Sequence, residues 1–309
     1  MIGEYLASVR ESVNQQFLNI IKSDSQVSKA MLHTVLAPSK CIRAGIVRAA
    51  AELEGTLNKE SINNLETAVE AMHSYSLIHD DLPAMDDDDM RRGQASSHVA
   101  YGEATAILAG DALHSLAYEI VANDVHLSNE QKINIIKLLS DSCGFNGMIL
   151  GQQLDLESEG SDTGDINKIH ALKTGKLISA SLAMPITNSK LRVKLKSVGE
   201  DIGLAFQIMD DVLEVTASST ALGKDSKSDV KNNKLTYVSV YGLETAVKNA
   251  EKLGETYVTD PGDTYPLLAH SVFNDLSLIH ISEPTRPERI AVGVVGVKKK
   301  RGGGGGGGG

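Results

Sequence analysis

Apolar residues recur every three or four positions through nearly the whole chain. The stretches LETAVEAMHSYSLIHDD (65–81) and INIIKLLSDSCGFNGMILGQQLDL (133–156) show the pattern clearly. That period is the turn of an α-helix, not the alternation of a strand. β-Branched alternation is scarce and only 7 prolines are present, so little interrupts it. Breaks fall at Pro38-Ser39-Lys40, at Leu82-Pro83, around 158–165, across 217–229 and at 259–263. They divide the chain into roughly ten helices joined by loops of ordinary length. No repeat of solenoid period is present. The expected fold class is all-α, a single-domain helical bundle without an internal boundary.

Composition narrows the function. A chain of 309 residues that is 41% hydrophobic buries a large core. A net charge of −10 argues against a nucleic-acid or anionic-membrane surface. No stretch approaches the length of a membrane span. The start of the chain carries Glu4 and Glu11 and lacks the apolar run of a signal peptide. The two cysteines, Cys41 and Cys143, make no disulfide framework and no metal spacing. A cytoplasmic location is expected.

The end of the chain has a different character. From Leu276 the sequence LSLIHISEPTR reads like a translated sequencing-library adapter. IAVGVVGVKKKR and a run of Gly follow, as A and G runs in such a read would encode. A flexible Gly linker or tag is the alternative. The expected domain covers 1–275 with a truncated C-terminus, and 276–309 is expected to be disordered.

Candidate chemistry is concentrated in acidic clusters. HDDLPAMDDDDMRRG (79–93) holds Asp80, Asp81, Asp86, Asp87, Asp88 and Asp89, followed at once by Arg91 and Arg92. So many carboxylates repel one another unless a cation neutralises them. Oxygen ligands without His or Cys suit magnesium, which shares its shell with phosphate oxygens and water. The adjacent arginines suit phosphate. A solvated acidic loop is the alternative. A second cluster weakens that alternative. In IGLAFQIMDDVLEV (202–215), Gln207, Asp210, Asp211 and Glu214 form a polar stripe on an apolar helix. Acids on such a stripe require a wet or metal-filled cavity. Two clusters suggest two walls that hold a diphosphate between them through magnesium. Lys40, Arg43, Lys173, Thr174, Lys224 and Lys234 supply further polar groups, and His73 shares a helix face with Asp80.

These segments resemble the short-chain trans-prenyl diphosphate synthases, in their bacterial form, over roughly residues 25–275. HDDLPAMDDDDMRRG is similar to the first aspartate-rich motif of that family, with the bacterial two-residue insertion, and FQIMDDVLEV to the second. GDALHSLAYE (110–119), GQQLDL (151–156), KTGKL (173–177) and GKDSKSDVKNNKLTYVSVYG (223–242) follow in the family's order. The resemblance implies an isoprenoid-synthase bundle with a central cavity, usually a homodimer. It implies condensation of isopentenyl diphosphate with an allylic diphosphate, with about three magnesium ions holding the latter.

Residue roles are implied in the same way. Asp80 and Asp86 are the expected magnesium ligands of the allylic site, with Asp81 supporting, and Asp210 binds another ion with Asp211 and Glu214 nearby. Arg91 contacts the allylic diphosphate. Lys40, Arg43, His73 and Arg92 hold isopentenyl diphosphate. Lys173, Thr174, Gln207 and Lys224 line the allylic side, with Lys234 a further candidate. Tyr75, with Ser76 beside it, lies where the family places an aromatic floor for the growing chain, which suits a fifteen-carbon product; plain core packing is the alternative. Three features depart from the family. Pro38 and Ser39 stand where glycines are usual, with Cys41 where Arg is common. Glu214 stands where Asp is common. The basic C-terminus is missing. A longer-chain synthase, a terpene cyclase and a catalytically silent subunit of a heteromeric synthase are the rivals. The 4% aromatic content and the isopentenyl-site cations disfavour a cyclase, and the survival of both aspartate clusters disfavours a silent subunit.

Overall fold

The structure, a computed structural model, describes residues 2–158, 164–221 and 235–255. Among them the chain forms thirteen α-helices, one π-helical segment and one short hairpin. The N-terminal layer holds α1 (Ile2–Ile20), α2 (Gln26–Val35), α3 (Ile42–Glu54) and α4 (Lys59–Asp80). A hairpin of β1 (Met90–Arg91) and β2 (Gln94–Ala95) follows, then α5 (Ser97–Tyr101), α6 (Glu103–Asn123), α7 (Asn129–Cys143) and α8 (Met148–Ser158). α9 (Ile166–His170), the π segment Ala171–Gly175 and α10 (Lys176–Ala183) run end to end. The long α11 (Ser189–Ala221), α12 (Tyr237–Tyr241) and α13 (Leu243–Glu255) complete the described chain. The expected all-α class holds. The proposed boundary at 275 and the tail beyond it lie outside the described residues.

The helix count exceeds the sequence expectation for a local reason. Gly102 and Gly242, at φ 86° and 79°, each break one apolar run into two helices. Glycine reaches that left-handed region without a Cβ clash. The breaks at Pro38 and Leu82-Pro83 fall between helices as expected.

α4 is the central helix. Leu65, Ala68, Val69, Ala71, Met72 and Ile78 are all buried, so apolar side chains leave it on more than one side. It packs against α6 and is flanked by α1, α2, α3 and α10. α10 and α11 pair on the far side, where Ile178, Leu182, Leu195 and Ile202 meet Ile46 and Ala50 of α3. No described helix is long and apolar enough to cross a membrane. Cys41 and Cys143 are buried free thiols, both pushed up to about 12 chiefly by that burial.

Buried acids pin this frame together. Glu66 takes two bonds from Arg48, at 2.6 and 2.8 Å, joining α3 to α4. Glu54 accepts from the Thr187 and Asn188 amides at 2.8 and 3.0 Å, satisfying the start of α11 from the end of α3. Asp124 accepts from Ser61 Oγ (3.1 Å), Asn64 Nδ2 (3.0 Å) and the amides of His126 (2.8 Å) and Leu127 (3.1 Å). These bonds hold its carboxyl below the usual range although burial opposes them. Its contribution is therefore full above the unfolded carboxyl value, about 4, and is lost as pH falls through the depressed folded value. Asp124→Ala should destabilise the protein by about 2 kcal/mol at neutral pH. In urea melts, the gap from wild type should close as pH drops below about 4.

Candidate active site

The first acidic cluster sits where α4 stops. Loop 81–89 folds back on the helix end: the Asp86 amide donates to the Asp80 carbonyl at 2.8 Å, and the Asp88 amide to that of Asp81 at 3.3 Å. Asp80 and Asp86 are thereby brought together. Asp80 is raised to about 6, by burial first and by Asp86 and Asp81 beside it, with Lys173 and Arg91 opposing. Asp81 is buried and is gripped by Arg91, whose Nε lies 2.8 Å from Oδ1. Arg91 also reaches Asp88 at 3.0 Å. Asp81 thus fixes the position of the arginine.

The arginine pair stands on a hairpin that the sequence reading missed. Met90 pairs with Ala95 and Arg91 with Gln94, leaving Arg92 and Gly93 as a two-residue turn, both at positive φ (54° and 79°). Such turns match the twist of a hairpin. Arg92-Gly93 between two short flanks was the available signal. The hairpin is fastened to α2: Gln94 Nε2 donates to the His33 carbonyl at 2.8 Å, and His33 Nε2 lies 2.8 Å from the Ala95 carbonyl.

Arg43 and Arg92 converge on His73. Their guanidinium groups lie 3.2 and 3.5 Å from its Nε2. Burial, then the two cations, holds this imidazole well below its ordinary value. Arginine only donates, so Nε2 is the acceptor and the ring proton sits on Nδ1. Arg43 feels the charges of both Glu70 and Asp210. Glu70 was missed from the sequence. It is buried on α4, and it accepts from the Ala44 amide at 3.1 Å. Cys41, the residue before α3, makes no side-chain cap. A carboxylate from the neighbouring helix therefore caps the helix that carries Arg43. Lys40 is half-buried in the loop ahead of it.

The opposite wall is the π segment and α11. Lys173 Nζ bonds Asp155 Oδ2 of α8 at 2.7 Å, and its charge reaches Asp80. Asp155 is another residue the sequence reading did not assign. Thr174 Oγ1 donates to Gln207 Oε1 at 2.7 Å. Glycines make this closeness possible. A Cβ on Gly203 would lie 2.4 Å from the Gly175 Cα, and one on Gly151 would lie 2.3 Å from the Lys173 amide nitrogen. π turns inside helices are frequent at functional sites.

The polar stripe on α11 divides. Asp210 is half-buried on the side that influences Arg43. Asp211 is buried: it accepts from Gln207 Nε2 at 3.4 Å and from the Tyr237 amide at 2.5 Å, and lies 3.5 Å from His170 Nε2. Adjacent helical residues point about 100° apart, so the two aspartates cannot share a face. The Glu214 side chain, Lys224 and Lys234 lie outside the described residues.

Tyr75 is buried one turn inside the Asp80 end of α4. Its ring meets His114 edge-on at 4.9 Å and His79 at 5.9 Å, and its hydroxyl has no partner among the described residues. The Ser76 hydroxyl is bonded to the His73 carbonyl at 2.9 Å.

The donor set fits magnesium. The described residues contain no group of three His, Cys, Asp or Glu close enough to enclose an ion alone. An ion here must complete its shell with water and ligand oxygens, which is how magnesium is held beside phosphates. Asp80, raised first by burial and then by Asp86 and Asp81 beside it, is a carboxyl that a bound cation would favour in its charged form.

An all-helical bundle of this kind is the isoprenoid-synthase type of fold. The chain belongs to the polyprenyl synthetase family, whose model matches residues 24–267. It is 38% identical over 270 residues to a farnesyl diphosphate synthase of Haemophilus influenzae, covering 84% of this chain and 91% of that protein. A crystal structure of an FPP/GFPP synthase from Zymomonas mobilis superposes with a TM-score of 0.77 at 29% identity, covering 89% of this chain and 99% of that one. A geranyltransferase from Helicobacter pylori, complexed with magnesium and isoprenyl diphosphate, gives 0.72 at 31% identity, over 89% of this chain and 97% of that one.

Gly203→Ala tests the packing that builds the far wall. Overpacking costs about 1–3 kcal/mol, and each kcal/mol is worth about 2–4 °C in a chain of this size. The melting temperature should fall by several degrees. Activity at permissive temperature should fall too, because Thr174 and Gln207 are driven apart.

Proposed function

We infer that the chain is a prenyltransferase that makes farnesyl diphosphate, condensing isopentenyl diphosphate with dimethylallyl or geranyl diphosphate and releasing diphosphate. The observation that carries this reading is the charge layout of the cavity. Asp80 feels Asp86, Lys173 and Arg91, while Arg43 feels Asp210 and Arg92, so acids and cations from four helices act on one another. Two diphosphates and shared magnesium ions, three in number, balance that set.

Asp80, Asp86 and Asp210 would hold magnesium against the allylic diphosphate, with Glu214 nearby on α11. The metal supplies electrostatic stabilisation of the leaving diphosphate. Asp81 orients Arg91 toward the same group. Asp211 acts from behind, fixing α12 against α11. Lys173, Thr174 and Gln207 face the allylic substrate, and Lys224 and Lys234 are assigned to the same side. Lys40, Arg43, His73 and Arg92 take isopentenyl diphosphate; the neutral His73 holds the two arginines at a set separation. As the allylic C–O bond breaks, its electron pair leaves with the diphosphate. The isopentenyl double bond attacks the carbocation, and the departing diphosphate accepts the proton that is then lost. Function as a homodimer in the cytoplasm belongs to the same reading.

Activity should require magnesium, and full turnover in excess chelator would sink the mechanism. Asp80→Ala and Asp210→Ala should each lower kcat by on the order of 10²-fold or more with the fold intact by circular dichroism. Product chain length is tested separately. Tyr75→Ala should open apolar space below α4, and chromatography of the products should show a shift from fifteen carbons to twenty or longer. A mutant that still stops at fifteen would make Tyr75 a packing residue only.

A further inference from the structure

Gln152 is an anomaly on α8, three residues before Asp155. It is 8% exposed, and both its amide oxygen and its amide nitrogen are buried without a hydrogen-bond partner among the described residues. A buried amide with neither end satisfied bears the desolvation penalty of both its donor and its acceptor. A leucine there would avoid that cost. Positions that carry such a cost are characteristically those where a ligand completes the bonding.

Its place on α8 indicates which ligand atoms meet it. Met148, Gln152 and Asp155 are buried and lie along one side of the helix. Asp155 belongs to the polar end of the cavity through Lys173, whose charge reaches Asp80. Met148 belongs to the apolar end, in the core cluster that holds Tyr75, Ile78, Leu82 and Cys143. Gln152 therefore stands between the diphosphate end and the tail end. On the α-helical rise it is about 4.5 Å from Asp155 along the axis and about 6 Å from Met148. The contact of Gly151 with the Lys173 backbone sets α8 directly against the π segment.

We propose that Gln152 is a catalytic residue of the prenyl transfer, its amide spanning the bond that breaks. The proposal rests on the prenyltransferase reading above. When the allylic C–O bond ionises, the electron pair leaves with the diphosphate oxygen and positive charge spreads over the allylic carbons. The amide oxygen faces that carbon charge, and the amide NH2 donates to the departing oxygen. Gln152 forms no covalent bond and takes no proton. Its dipole is fixed before the reaction, so the electrostatic gain needs no reorganisation.

The test separates this role from packing. Gln152→Leu removes both polar ends at similar volume, and Gln152→Met does the same with an unbranched chain should leucine fit badly. The expected result is a kcat with geranyl diphosphate lower by about 10²-fold. The KM for isopentenyl diphosphate should stay within twofold, and the melting temperature should be unchanged or raised. Gln153→Leu is the control, because Gln153 is exposed and bonds Glu157 at 2.9 Å. It should leave kcat unchanged. If wild type is active and both Gln152 variants fold and keep its kcat, the proposal fails alone. If wild type makes no prenyl product from isopentenyl and geranyl diphosphates with magnesium, the function reading fails and takes the proposal with it.

Discussion

A carboxylate removed from water must meet positive charge or donated hydrogen bonds, and this protein is organised by how each of its acids does so. Glu66 meets Arg48, Glu54 and Asp124 meet backbone amides, and Glu70 caps α3. Each of these bonds ties one helix to another. Asp80 sits instead among other carboxylates: it is raised to about 6 by burial first and by Asp86 and Asp81 beside it, with Lys173 and Arg91 opposing. The frame acids are held mainly by groups on neighbouring helices, whereas Asp80 has carboxylates for neighbours.

The same division runs through the cations. Arg48 is committed to the frame by Glu66. Arg43 and Arg92 are held by a neutral imidazole, which fixes their position without cancelling their charge. A carboxylate in place of His73 would position them equally well but would neutralise part of the attraction for an anionic substrate.

How much of this was legible in the sequence depended on whether a signal was contiguous. The run from His79 to Gly93 and the stripe from Gln207 to Glu214 carry enough charge in a short stretch to stand out from a helical background. Glu70 and Asp155 did not stand out, because an isolated acid on an amphipathic helix reads as surface. Their meaning comes from partners 26 and 18 residues away. Gly151 and Gly203 were silent for the same reason, since only the neighbouring backbone reveals what a methyl group would strike. The split between Asp210 and Asp211 was lost because a stripe drawn at steps of three and four is wider than one line of sight along a helix. Gly102 and Gly242 multiplied the helices because an apolar rhythm continues across a kink that alters direction but not composition.

The chain contains two cysteines, and both are sealed in the interior with thiols pushed up to about 12. Burial disfavours the thiolate, which is the reactive form, and shields both sulfurs from reagent. The protein is thus a ready background for site-selective labelling without prior removal of native cysteines. A pair of cysteines introduced on exposed positions of the hairpin and of α13 would accept fluorescent or spin probes almost exclusively. The separation between them would report, in solution and in real time, how the hairpin and α13 move relative to each other when diphosphate is added.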